Sequence, residues 1–200
     1  MTRICKHRVR VKTRQYGFGA WLNVFRVFTL TPILACAATI GPAGEEGESK
    51  ERFAELDAQD WQEVFFDSGT GDWQERWALD GLKAKLTNSD EGMNFRAGPV
   101  YKENASHAVL WTKESFTGDL KIEYEYTRTD EATRAVNILY IQATGDETQG
   151  LARDISEWAD QRTEPAMRVY WGQMHTYHIS YAAFGGKFID EGYDYIRARR

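Results

Sequence analysis

The chain has 200 residues, 42 % hydrophobic and 14 % aromatic, enough for one packed domain with or without a targeting segment. Its net charge of −5 is uneven: of 25 Lys and Arg, seven precede Val27 with no acid among them and 27–44 carries no charge, so the body from Glu45 onward sets 18 bases against 30 acids, a balance of −12. So acidic a body excludes nonspecific nucleic-acid binding, and with both cysteines, Cys5 and Cys36, in the N-terminal segment it has no disulfide framework or thiolate metal site.

Met1 to Arg26 is basic, and Val27 to Ala38 (VFTLTPILACAA) is uncharged and apolar. A run of about twelve such residues suits the core of a signal peptide and is too short to cross a bilayer of ~30 Å as a helix. Ala35-Cys36-Ala37 fits an A-x-A cleavage site, and Ile33-Leu34-Ala35-Cys36 is similar to a bacterial lipobox, in which Cys36 becomes the lipidated first residue. Residues 1–44 therefore read as a leader that exports the protein to the periplasm, the outer membrane or the medium. A lipid on Cys36 is the expected route to a membrane. The alternative is an uncleaved basic tail. Gly41 to Glu51 (GPAGEEGESKE) reads as flexible, 45–60 as the linker and 61–200 as the folded domain.

Trp61 to Phe66 (WQEVFF) predicts an edge strand, and DSGTGD a turn. Trp73 to Leu79 predicts a strand closed by Asp80-Gly81, a hairpin signal, with the short strand Lys83 to Thr87 after it. Met93 to Arg96 and His107 to Thr112 predict two more strands. Leu120, Ile122, Tyr124 and Tyr126 then alternate with Lys121, Glu123, Glu125 and Thr127, the period of a strand with one buried and one wet face. After a polar turn, AVNILYIQA is apolar on both parities, as in a strand covered on both sides. These two strands are expected to pair at the centre of the fold. Ile155 to Gln161 predicts one or two helical turns capped by Asp154 and ended by Pro165. Met167 to Trp171, Thr176 to Phe184 and Tyr193 to Arg200 predict the last strands. Short strands at even spacing with turn chemistry between them predict an all-β fold, an antiparallel β-sandwich or jelly roll. No turn or closing strand follows YDYIRARR, which reads as a sandwich incomplete at its C-terminal end.

The strings EGMNF, HAVLWT, GDLKIEYEYTR, NILYIQATG, DISEWAD, TYHISYAAF and YDYIRARR, spread over 61–200, resemble the YesU-like family. That resemblance implies a concanavalin-like lectin/glucanase jelly roll, bacteria that degrade plant or algal polysaccharides, and further strands beyond YDYIRARR. It implies no particular reaction, because the family's activity is not settled. YIQATG and YDYIRARR are also similar to the glutamine-bearing and tyrosine-bearing strands of jelly-roll alginate lyases, although the histidine of the first string is absent.

Strand parity places Ile138, Tyr140 and Gln142 on one face, Thr176, His178 and Ser180 on one face, and Tyr193, Tyr195, Arg197 and Arg199 on one face. If these three sets line one side of a sheet, they form a groove suited to an acidic glycan. Arg197 and Arg199 would hold a uronate carboxylate bidentately. Neutralised, that carboxylate acidifies the neighbouring C–H, and Tyr195 or His178 would remove the proton and protonate the leaving oxygen, which is β-elimination. Gln142, Tyr140 and Trp171 would bind the sugar. The rival expectation is a non-catalytic binding module in which aromatics such as Trp171 stack on sugar rings, and a third is a structural partner in a surface complex. A plainer role exists for each residue: His178 hydrogen-bonded in a sheet, Tyr140 and Tyr195 packed with wet hydroxyls, the arginines paired with the acidic body. A glycoside hydrolase needs two facing carboxylates, for which Glu123 and Glu125 are the candidates. Asp146, Glu147 and Asp154 could frame a Ca²⁺ loop, but a solvated acidic loop is the plainer reading, so no cofactor is predicted.

Overall fold

Residues 8–14 alternate Arg8, Arg10, Lys12 and Arg14 with Val9, Val11 and Thr13. Extended chain sends the two sets to opposite faces, one cationic and one fit for a core. The computed structural model describes residues 3–14, 43–129, 136–161, 166–182 and 195–199, with backbone alone at 3–7, 43–46, 182 and 195. In it this stretch is strand β1 (Arg3–Arg14). There follow α1 (Ala43–Asp57), β2 (Gln62–Asp67), β3 (Trp77–Asp80), β4 (Lys85–Ser89), β5 (Gly92–Arg96), β6 (Val109–Thr112), β7 (Asp119–Arg128), β8 (Asn137–Gly145), α2 (Ile155–Asp160), α3 (Met167–Gln173), β9 (Met174–Ala182) and β10 (Tyr195–Arg199). Every strand pairing described is antiparallel, and the fold is mainly β.

Along one edge β1 runs against β7, with Arg8 opposite Glu125 and Arg14 opposite Asp119. Its other edge carries β2 opposite 9–13 and β5 opposite Arg3 and Ile4, with β4 outside β5. A second sheet is β10-β9-β8, and β3 pairs with β6 as a two-stranded ribbon. The ribbon serves two cores. Trp77 and Leu110 on one face join Val11, Phe65 and Met93. Ala78, Val109 and Trp111 on the other join Trp158, Tyr170 and Met174. Phe65 meets Trp77 and Phe116 edge-to-face, with centroids 5.7 and 5.6 Å apart, and burying a ring of this size stabilises by roughly 1.5–3 kcal/mol.

Residues 3–14, which lie within the segment read as a leader, supply the strand with the most partners among those described. Composition marked them as basic, while their alternation marks a strand. Their cationic face meets the acids that β7 turns outward: Lys12 Nζ lies 2.7 Å from Glu123, and Arg14 2.8 Å from Asp119. The expected linker forms helix α1, in which Glu48 and Arg52 stand four apart. Its end is tied down where Asp57 meets Lys121 and Trp61 Nε1 donates to Leu56 O at 2.7 Å.

The expected central pair does not form: β7 pairs with β1, and β8 with β9. Asp80-Gly81 is not a hairpin, because β3 pairs with β6 and β4 with β5. What requires glycine there is proximity, since a Cβ on Gly81 would lie 2.8 Å from Ala108 Cβ. Met167 to Trp171 is helix, not strand. Met167 and Tyr170 are three apart on one helix face, and Met174, the first residue of β9, joins them in one core. Helix α2 forms where expected, with Asp154 accepting from Ser156 N at 2.9 Å and Glu157 N at 3.4 Å. Pro165, Gly185-Gly186, Tyr193 and Cys36 lie outside the described residues.

Candidate functional site

Three antiparallel strands place His178 of β9 between Tyr140 of β8 and Arg199 of β10, all in one cross-strand row. The next row is Ile138, Ser180 and Arg197. Residues directly opposite each other share a face, so His178, Tyr140, Arg197 and Arg199 stand on one side of this sheet. Tyr195 opens β10 opposite Ala182, two residues from Arg197 and of the same parity; its side chain is outside what the structure describes. Arg197 is exposed and Arg199 half-buried.

Helix α3 adds Trp171 to this face. Its ring meets His178 edge-to-face, with centroids 5.9 Å apart at 79°, and it is 61 % exposed. His178 is half-buried and turns its other side to Tyr140, 6.2 Å away at 71°. Tyr140 in turn is stacked on Tyr170 at 6.0 Å and 12°, and leans on Trp111 at 5.4 Å. Burial pushes the Tyr140 hydroxyl up to about 12, so near neutral pH it stays protonated and cannot serve as a base. It is a packing residue with a role in the floor of the site.

Beneath this floor lies a group the sequence reading missed. Asp80 is only 7 % exposed. Its Oδ2 accepts a hydrogen bond from Tyr170 Oη at 2.8 Å and another from Trp111 Nε1 at 3.2 Å. In the sequence the signal is weak: Asp80 sits where an Asp-Gly pair resembles a turn, and only its parity with Ala78 places it inward.

Gln142 does not join the row. The register of β8 on β9 shifts between Ile141 and Thr144, and Gln142 sits in that irregularity with φ 55. A bulge moves a residue off the face its parity predicts. Gln142 lines a cavity of 1570 Å³ that Ile138 and Tyr140 also border, together with Val9, Leu120, Ile122 and Tyr124. His178, Trp171 and Arg197 are not in its lining. The expected single groove is thus divided: His178, Trp171 and the arginines stand on one face, and Gln142 opens elsewhere.

Glu123 and Glu125 face away from the core, held by cations. Glu123 lies 2.7 Å from Lys12 and 3.5 Å from Lys121, and Glu125 is 3.8 Å from Arg8. The Lys12 hydrogen bond holds the Glu123 carboxyl below its usual range, the reverse of what a catalytic acid needs. Asp146 spends its carboxylate on the loop it begins, accepting from Thr148 N at 3.0 Å and Gln149 Nε2 at 2.7 Å. The Thr148 hydroxyl and Gln149 hold it down to about 2, with a smaller contribution from His175. Among the described residues no cluster of three or more His, Cys, Asp or Glu is arranged to hold a metal ion. Nor is any helix among them long and apolar enough to cross a membrane. Comparison of the chain with family models, curated proteins and solved structures returned no match.

Proposed function

We propose that the protein binds an acidic polysaccharide on the face formed by His178, Arg197, Arg199 and Trp171, and that Tyr195 and His178 give this face the means to cleave the chain by β-elimination. One observation carries the reading: an exposed indole and two arginines flank a single imidazole across three adjoining elements. A sugar ring stacks on an aromatic face, and a guanidinium pairs bidentately with a uronate carboxylate. The geometry favours this over glycoside hydrolysis, because Glu123 and Glu125 are engaged by lysine and arginine on the outer face of the other sheet. A β-sandwich of the concanavalin-like jelly-roll type belongs to the same proposal. It is supported by the antiparallel sheets and by the resemblance to the YesU-like family. Export belongs to it as well and rests on the apolar run 27–38, which carries Ala35-Cys36-Ala37 near its end.

The test incubates the full chain with pectic, alginate and ulvan-type polysaccharides and follows absorbance of the conjugated C=C that elimination creates. Binding with rising absorbance supports the lyase. Binding without absorbance and without new reducing ends reduces the proposal to a binding module. No affinity for any acidic chain overturns it.

A further inference from the structure

Asp80 reaches the proposed sugar-binding face through Tyr170, whose ring lies on Tyr140 and whose neighbour in the chain is Trp171. Helix α3 has seven residues and turns two neighbours to different surroundings: Tyr170 is 3 % exposed and Trp171 61 %. Whatever fixes the roll of α3 about its axis therefore fixes the seat of Trp171. Three contacts on Tyr170 bear on this roll. Its hydroxyl donates to Asp80 at 2.8 Å, its ring lies on Tyr140 at 12°, and Trp158 closes in at 5.6 Å. The two ring contacts are apolar and tolerate sliding, whereas the hydrogen bond has a required length and direction. Stability alone does not call for a carboxylate here. Apolar residues of similar volume commonly serve a core as well as or better than buried charge, while buried polar groups with satisfied bonds specify one arrangement.

We infer that Asp80 and Tyr170 are positioning residues: their hydrogen bond sets the roll of α3 and thereby holds the Trp171 ring edge-on against His178. The consequence for glycan binding rests on the function proposed above; the positioning itself does not. Tyr170→Phe removes the hydroxyl and keeps the stacked ring. Asp80→Asn keeps an acceptor of the same size and restores part of the bond. Met93→Leu, in the other core cluster, serves as a control that perturbs packing without touching α3.

Two readouts are taken on the full chain, at a temperature where circular dichroism shows every variant folded. One is the ring-current shift of the His178 imidazole protons by NMR; the other is affinity for oligogalacturonate by calorimetry. Tyr170→Phe is expected to move the His178 resonances and weaken binding about tenfold. Asp80→Asn should do both to a lesser degree, and Met93→Leu neither. Unmoved His178 resonances in Tyr170→Phe, whatever the loss in melting temperature, would overturn the positioning role. If the resonances move as expected but the wild type binds no acidic glycan, the positioning stands and the sugar reading fails.

Discussion

Trp171 and His178 come from different elements, α3 and β9, and meet edge-to-face with ring centroids 5.9 Å apart. Between them they join an exposed apolar plate to an imidazole, the pairing on which the proposed glycan binding rests. Trp171→Ala removes the plate. Because the indole is 61 % exposed, folding stability should change by about 0.5 kcal/mol or less. Affinity for acidic oligosaccharide should fall about tenfold or more, since each ~1.4 kcal/mol of lost contact is a factor of ten. Calorimetric titration beside a thermal melt checks both, and an unchanged affinity removes Trp171 from the site.

Arg199 is the cross-strand neighbour of His178, and Arg197 stands one row away on the same face. If they grip a carboxylate, Arg199→Lys should not substitute, because an ammonium lacks the planar fork. Affinity should drop severalfold in that variant and fall in the wild type as salt is raised from low to physiological levels. A neutral glycan bound as tightly as a uronate would remove both arginines from the reading.

Gly145 closes β8 where the chain turns back on itself. A Cβ there would lie 2.0 Å from Ala152 O and 2.6 Å from Trp158 Cδ1, and Trp158 is fully buried. Gly145→Ala should therefore cost about 1–3 kcal/mol through forced displacement of packed groups. Denaturant unfolding measures this; a loss below half a kilocalorie would mean the loop 146–153 yields freely.

How much of this was legible depends on whether the deciding interaction was local. Parity is local, so the alternation that sets Leu120, Ile122 and Tyr126 half-buried against exposed Glu123 and Glu125, and the shared face of Tyr140, His178 and Arg199, could be read from the chain, although Tyr124 of the apolar set is 38 % exposed. Partnership is not. Strand β7 is followed closely by β8 yet pairs with β1, more than a hundred positions earlier, where Arg8, Lys12 and Arg14 answer Glu125, Glu123 and Asp119. Gln142 escaped because one irregular residue reverses the parity beyond it. Residues 167–171 escaped because a short apolar window satisfies periods of two and of 3.6 alike. Asp80 and Tyr170 followed from neither pattern, since what joins them is a contact 90 positions apart in sequence.

Asp146 gives stability a predictable acid limb. Hydrogen bonds from Thr148 and Gln149 hold its carboxyl at about 2, against an ordinary 3.8. A folded-state value below the unfolded one means the stabilisation is fully present above the unfolded value and is lost as pH falls through the folded one. The stability gap between wild type and Asp146→Asn should therefore be constant above about pH 5, shrink below about pH 4 and close near pH 2. Urea unfolding at stepped pH values reads this. A gap that grows on acidification would contradict the hydrogen-bonded geometry.

The last prediction concerns β1, for which two expectations about one segment compete. As a strand, it places Val11, 3 % exposed, against Phe65, Trp77 and Met93. As a leader, it would be cleaved before the mature protein functions. Val11→Asp separates them. In the sheet, it buries an unpaired carboxylate at a cost of several kcal/mol, a large part of the 5–15 kcal/mol that holds a domain folded. The variant should then lose its cooperative melt. The surface change Arg10→Gln, by contrast, removes an exposed contact with Glu63 at 3.8 Å and the guanidinium's place over the Phe66 ring, 5.1 Å from its centroid, and should cost about 1 kcal/mol. Mass spectrometry of the purified chain supplies the second reading. A mature N-terminus at or beyond Cys36, with native melting in Val11→Asp, would show that β1 is absent from the working protein. Its place between β2 and β7 would then have to be filled by another strand, because Phe65 and the acids of β7 would otherwise face water.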